Sequence, residues 1–543
     1  MELLLAMEKW NAEGRPGSRF VFTTPKEFFA QFESDTPRLF DFKQTLRGRD
    51  TQIAALNTFL ADPASVVGVL AGRGGIGKSK LLHDWALTVK DGTVLYVKED
   101  AEWHPEAAKE IPAGELLIVA DDAHRFDFLD KLLLLARSLR QRQRVKVVLG
   151  TRPSGVDQID AMLALRFAAA EVSRFPRLEK MSQQGVRELA VEVLGAGHAQ
   201  HATPLAAVSS DTPLVTVVGG RLIAKGEISP AVLANEEAFR HEVFKKFSAE
   251  YERLLPAGAV NWRTLLNLVA AVSPVSPSVN QFVEPAAEIL RIRPDEVRSA
   301  LNLLEKRGLL LRGGRLIRIV PDLLSDFLLE GACLTGAGES TGFSDLMFQT
   351  FQSTYLSNLL RNLGELDWRI TQRNPDQGTR LLDDIWLEIG RGFDAGDASV
   401  RVQLFKSLTG AALFQPARVL QLIRRAIGNE AAEVRVWSDF ALTQEHVPRE
   451  IPPLLRGISY HFDHIEEAAE ILWRLAKSDS RAPHQYPDHS RRVLEEMADY
   501  GRYKPVQFND WMADFAARKS RDPREFEGTF TPLPVMFVPG PPK

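Results

Sequence analysis

The chain has 543 residues, enough for about three or four domains at roughly 150 residues each. Apolar residues make up 45 % and charged residues 25 %, the proportions of an ordinary globular protein, and the net charge of −4 gives no bulk attraction to nucleic acid or to an anionic membrane. The single cysteine, Cys333, excludes an intramolecular disulfide and a cysteine zinc cluster, so a reducing, cytoplasmic setting is expected.

In chain order, the N-terminus "MELLLAMEKW" has a short apolar run without a basic flank, so it is not expected to be a signal peptide. No apolar run of about 18 residues follows anywhere, so no transmembrane helix and no membrane partner are expected. Residues 1–45 include "SRFVFTTPKEFFAQF", which predicts a short strand and then a helix with Pro25 near its start; the sequence assigns this segment no role. From residue 46 strand and helix alternate. "TQIAALNTFLAD" is a helix, "ASVVGVLAG" a strand, "KSKLLHDWALTVK" a helix, and "GTVLYVK" and "ELLIVADD" are strands. "RFDFLDKLLLLARSLRQR" is then a helix and "VKVVLGTRP" a strand. The strands are continuous apolar runs. That predicts an α/β core over residues 46–176, a parallel sheet covered by helices on both faces.

After about Arg177 the strand pattern stops, and residues 177–257 predict a helical lid. Residues 258–337 predict three helices followed by "LLLRGGRLIRIV", a hairpin turning at Gly313 and Gly314, which is a winged-helix pattern. Residues 338–522 read as short amphipathic helices with prolines at their starts, resembling HEAT-type paired-helix repeats. Residues 523–543 form a proline-rich tail.

One stretch carries chemistry. "LAGRGGIGKSK" places four glycines within six residues directly after an apolar strand and before a helix. Gly72, Gly77, Lys78 and Ser79 match G-x-x-x-x-G-K-[ST], the phosphate-binding P-loop. Backbone N–H groups must converge on a phosphate there, and a Cβ would obstruct them; the helix N-terminus adds the positive end of its dipole. Residues Gly72, Arg73, Gly74, Gly75, Ile76, Gly77, Lys78, Ser79 and Lys80 are therefore expected to bind nucleotide. Lys78 reaches the β- and γ-phosphates, and Ser79 puts its hydroxyl on Mg²⁺. "LLIVADD" supplies the acidic strand end this chemistry needs: Asp121 as the magnesium-side carboxylate, Asp122 to orient or deprotonate water. Arg152, at the end of "VVLGTRP", is placed to sense the γ-phosphate.

Taken together, "TLRGRD", "GRGGIGKS", "LLIVADD", "VVLGTRP", "DTPLVTVVGG" and "VPDLLSDFLLE" resemble, in that order, the STAND class of P-loop NTPases, the AAA+-related signalling ATPases that include NACHT and NB-ARC proteins. The resemblance covers roughly residues 45–335. It implies that Arg49 and Pro213 line an adenine pocket, that ATP or ADP with Mg²⁺ is the cofactor, and that the winged helix packs on the nucleotide in a resting state. It also implies a slow ATPase switch, an ATP-dependent homo-oligomer, and C-terminal repeats that sense a protein or ligand. A histidine usual in the winged helix is replaced here by "IVPDLL", with Pro321 and Asp322. The alternatives are an AAA+-like ATPase acting on DNA through the winged helix, with Arg298, Lys306 and Arg307 in the groove, and a nucleotide-stabilised scaffold. Nucleic acid is the weaker expectation. The basic run Arg137–Lys146 reads as a helix end, and His461, Asp463 and His464 read as surface residues rather than a metal site.

Overall fold

A computed structural model describes residues 21–33, 42–98, 103–126, 128–164, 166–210, 212–253, 260–277, 279–306, 309–313, 316–320, 322–336, 338–373, 379–428, 432–437, 440–483, 486, 488–497 and 506–521. The chain divides into two compact units, Met1–Gly331 and Ala332–Lys543. The proline-rich tail and most of residues 1–45 lie outside the described residues.

The first unit is built on a six-stranded sheet ordered β1-β3-β4-β5-β2-β6. Its strands are β1 (Phe22–Thr23), β2 (Val67–Ala71), β3 (Thr93–Val97), β4 (Leu116–Ala120), β5 (Val145–Thr151) and β6 (Val172–Arg174). All pairings are parallel except β1 on β3, where Phe22 faces Val97 and Thr23 faces Tyr96. Every residue of β2, β4 and β5 is buried, as a parallel sheet with both faces covered requires. One face packs Leu129, Leu132, Leu133 and Ile159 against Val67, Ile118 and Val147. The other packs Leu56, Phe59, Leu81 and Trp85 against Leu70, Val119 and Val148. At roughly 1.5–3 kcal/mol per buried large aliphatic side chain, these two faces are the main stabilising contribution to the unit.

Two features of this sheet differ from the sequence expectation. The α/β unit begins before residue 46. β1 extends the sheet edge, and the helix Pro25–Glu33 packs Phe29 against Tyr96 and His83. That helix starts with a reciprocal cap: Thr24 Oγ1 accepts from Glu27 N, and the Glu27 carboxylate accepts from Thr24 N. β6 has no apolar run because it is a partly exposed strand of three residues, so it left no pattern to read.

Helices Gln183–Leu194, Ala202–Ser209, Pro213–Ala224 and Glu236–Arg253 follow the sheet. Helices Trp262–Val272, Asn280–Leu290 and Pro294–Lys306 then precede an antiparallel hairpin, β7 (Leu310–Gly313) with β8 (Leu316–Ile319). Val275 adds a bridge to Ile317.

The second unit is mainly helical, from Phe343–Arg373 through Asp383–Ala395, Ala398–Leu408, Pro416–Gly428, Ile451–Ile458, Phe462–Ser478 and Ser490–Met497 to Val506–Arg521. A small antiparallel pair, β9 (Val434–Trp437) with β10 (Phe440–Leu442), interrupts the helices where the sequence predicts none. Its strands have four and three residues, too short for a period to show. Cys333 is fully buried, and burial, with Asp345 nearby, pushes its thiol up to about 12. A thiol reagent at pH 8 is therefore expected to label Cys333 only after denaturation. Rapid labelling of the native chain would contradict this burial.

Candidate functional site

The carboxyl ends of β2, β4 and β5 lie side by side, with Ala71 opposite Thr151 and Ala120 opposite Leu149. Chain leaving this edge builds the site. Gly72 N donates to Thr151 O at 3.1 Å, and Gly72 also bridges to Leu178, so the start of the loop is pinned on two sides. A Cβ on Gly72 would lie 3.0 Å from Ile76 Cγ2 and Leu178 Cβ. Gly75 and Gly77 have φ of 71° and 100°, a region that a side chain disfavours. The helix Lys78–Thr88 begins immediately after, and Leu81 N makes a helical bond back to Gly77 O at 3.0 Å. The first turn of such a helix leaves its N–H groups without intrahelical acceptors.

The Lys78 side chain is buried and folds back on the loop, donating to Gly72 O at 3.0 Å. Its Nζ lies 3.9 Å from Asp122 Oδ1. The Ser79 side chain is near enough to Asp121 to favour the ionised carboxylate, against the larger opposing effect of burial. Asp121 comes so close to β5 that a Cβ on Gly150 would stand 2.9 Å from Asp121 Oδ1, so the glycine in "VVLGTRP" makes room for the acidic pair. Burial pushes the Asp121 carboxyl up to about 6, with Asp122 adding to the effect and Lys78, Ser79 and Arg318 opposing it. Asp122 adopts φ 54°, ψ 39°, a left-handed conformation uncommon outside glycine and found at functional turns. That turn aims its carboxylate at Lys78 on one side and at Arg318 Nη2, 3.4 Å from Oδ2, on the other. The Arg152 guanidinium lies over the loop, 3.7 Å from where a Cβ of Gly74 would be.

Other expected residues lie differently. Arg49 is buried, and its guanidinium donates to Ile76 O at 2.8 Å and Glu179 O at 2.9 Å. It thus ties the loop to the strand-exit segment. Lys80 is engaged by Asp84 one turn on, at 2.5 and 2.7 Å, and Asp84 also meets His83. Arg73 is exposed on the loop. Pro213 is the first residue of its helix, after buried Thr212. Pro321 and Arg307 lie outside the described residues. Most of the basic run is engaged within the unit: Arg137 donates to Arg166 O, Arg140 pairs with Glu171, Arg144 donates to Leu60 O, and Lys146 donates to Asp62 O and Ser65 O. His461 meets Leu413 O at 2.6 Å. Sequence reasoning missed Arg318, since a lone arginine in a hairpin has no motif. It also missed Tyr96, whose buried hydroxyl has no hydrogen-bond partner among the described residues and whose ionisation is suppressed by burial and by Asp121 and Asp84.

The site fits a nucleotide with Mg²⁺. A glycine cradle and a helix N-terminus face the same place as a buried lysine. Ser79 and Asp121 are hard oxygen donors of the kind Mg²⁺ takes, one or two at a time, beside phosphates. Among the described residues no group of three His, Cys, Asp or Glu is arranged for a metal, as in an all-protein cage.

No family model matches the sequence, and no curated protein does. Solved structures give distant similarities. A Walker-type ATPase of Pyrococcus abyssi is 13 % identical over 54 % of this chain and 99 % of its own, with a TM-score of 0.29. A RuvB point variant of Thermotoga maritima is 19 % identical over 51 % of this chain and 93 % of its own, at 0.27. The ORC1 protein of Aeropyrum pernix, solved with DNA, is 16 % identical over 57 % of this chain and 97 % of its own, at 0.29. At these identities and TM-scores the three similarities assign this chain no class, and none of them singles out the STAND class.

Proposed function

We propose that the chain is a P-loop ATPase that binds ATP and ADP with Mg²⁺ and acts as a nucleotide-dependent switch. One observation carries this reading: Lys78, Ser79, Asp121, Asp122 and Arg152, from three separate strand ends, meet at one glycine loop. In this reading Lys78 leaves its carbonyl partner for the phosphates, Ser79 and Asp121 hold the metal, and Asp122 orients water. Mg²⁺, when bound, neutralises developing charge on the phosphates. Arg152 provides a cation at the open side of the loop. Arg49 acts through the loop backbone rather than on the base, and Pro213 remains a candidate base contact.

Within this proposal, helices 183–253 serve as a lid and the module 262–319 as a winged helix. The helices of the second unit, in the STAND-like form of the reading, sense a partner and bias an oligomeric state. A second reading keeps the same pocket but makes the chain an AAA+-like ATPase working on DNA. Lys306 is exposed and Arg298 partly so on the helix Pro294–Lys306, which is the observation that favours it. An ATPase rate that rises with added duplex DNA would decide for that second reading.

The test of the shared core is Lys78→Ala. The wild type should gain thermal stability with Mg-ATP, worth about 2.7 kcal/mol at 100 times Kd, and the variant should lose most of that gain. Identical melting of both proteins, with and without Mg-ATP, would exclude the nucleotide site.

A further inference from the structure

The hairpin β7–β8 is a separate module from the sheet, yet one of its side chains ends at the acidic pair. In β8, Ile317 and Ile319 are each 1 % exposed and face the hairpin's own helices. Arg318, between them, points to the opposite face, as strand alternation requires. Such a side chain would ordinarily stand in solvent. Here it is 16 % exposed, and its Nη2 lies 3.4 Å from Asp122 Oδ2, a contact spanning 196 positions of sequence. Its placement is fixed from behind: Ile317 exchanges two backbone hydrogen bonds with Val275, at 3.0 and 2.7 Å, and Leu311 pairs opposite Arg318.

Asp122 is therefore held between two cations, with Oδ1 toward Lys78 and Oδ2 toward Arg318. They differ in kind. Lys78 is part of the phosphate loop and stays with it. Arg318 is carried by the hairpin, an element separate from the loop. At 3.4 Å the contact is long for a charge-assisted hydrogen bond, and a part-buried pair of this kind, still reached by water, contributes little net stability.

We propose that Arg318 is a latch on the catalytic carboxylate. While it faces Oδ2 it withholds that oxygen from water, so release of the hairpin and hydrolytic competence are one event. Arg318 is a positioning residue in this scheme, acting through Asp122. The proposal rests on the ATPase reading for its consequence, though not for the contact itself.

Hydrogen exchange of the full chain, followed in peptides covering 309–320, tests the contact without any turnover. Arg318→Gln and Asp122→Asn should each speed hairpin exchange by about two- to fivefold, the range of a partly exposed ion pair. The double variant should be no faster than either single one, because both remove the same contact. Arg318→Lys keeps the charge and should stay near wild type. Under single turnover with Mg-ATP, Arg318→Gln should hydrolyse faster than wild type by a similar factor. Unchanged exchange in Arg318→Gln, additive effects in the double variant, or slower hydrolysis with a loosened hairpin would each overturn the latch. A wild type that binds no nucleotide would instead overturn the ATPase reading, and the exchange data would still decide whether Arg318 and Asp122 are coupled.

Discussion

Asp122→Asn should lower the single-turnover rate of ATP hydrolysis by about 10²–10⁴-fold and leave the nucleotide bound. That range is what a positioned general base contributes. The substitution keeps size and shape and can still hydrogen-bond, but it removes the charge proposed to orient water. Asn also tolerates the left-handed backbone that Asp122 adopts, so the turn after β4 survives. Binding should change much less, because the glycine loop, the Lys78 amine and the Ser79 hydroxyl are untouched. The variant should accumulate in the ATP-bound conformation. Bound-nucleotide analysis and the hydrolysis rate, measured on one preparation, check both halves. Full hydrolysis by the variant would remove Asp122 from the reaction. A wild type that holds ADP permanently and never turns over would favour the scaffold reading.

The candidate site is legible wherever a local motif and a buried strand coincide. β2 and β4 are uninterrupted apolar runs ending in a glycine loop and in an acidic pair, so both the elements and their chemical ends show in the sequence. β5 was legible for the same reason. The sheet order was not: nothing local says that β5 lies between β2 and β4, and it is this order that sets Thr151 beside Gly72 and Gly150 beside Asp121. β1 showed as a short strand ahead of its helix, but its place on the sheet edge did not, and the short strands β6, β9 and β10 leave no periodic signal. Arg49 shows a further limit. Its resemblance-based role concerned the base, whereas its geometry concerns the carbonyls of Ile76 and Glu179, partners that no spacing rule points to. Arg318 illustrates the same point across a longer range. Alternation within β8 predicts that it faces away from Ile317, and only the docking of the hairpin determines what it meets.

Asp121→Asn should stabilise the nucleotide-free chain at neutral pH and weaken its response to Mg²⁺. The sign follows from linkage. The Asp121 carboxyl is pushed up to about 6 in the folded chain, against an ordinary value of 3.8, chiefly by burial. The folded state thus holds this proton more tightly than the unfolded state does. Below about pH 3.8 both states are protonated and the group costs nothing. As pH rises from about 3.8 to 6 the unfolded chain ionises first, so stability falls, and above about 6 the full cost of the buried carboxylate is present. Asparagine carries no such charge, and its side-chain oxygen can still accept from Asp122 N, as Asp121 Oδ1 does at 3.1 Å. The melting temperatures of wild type and variant should therefore nearly coincide near pH 4 and separate by several degrees in favour of the variant by pH 7.5. Mg²⁺ with ATP should reverse the order. A metal needs the ionised oxygen, so the Mg²⁺-dependent part of ATP stabilisation should be large in the wild type above pH 6. It should weaken by about tenfold in apparent affinity for each pH unit below that, and be small at every pH in Asp121→Asn. Melting curves with ATP alone and with Mg-ATP, across pH 5 to 8, separate the two effects. A variant less stable than wild type at pH 7.5 without nucleotide would show that Asp121 is a net stabiliser of the fold. An undiminished Mg²⁺ response in the variant would place the metal on other oxygens.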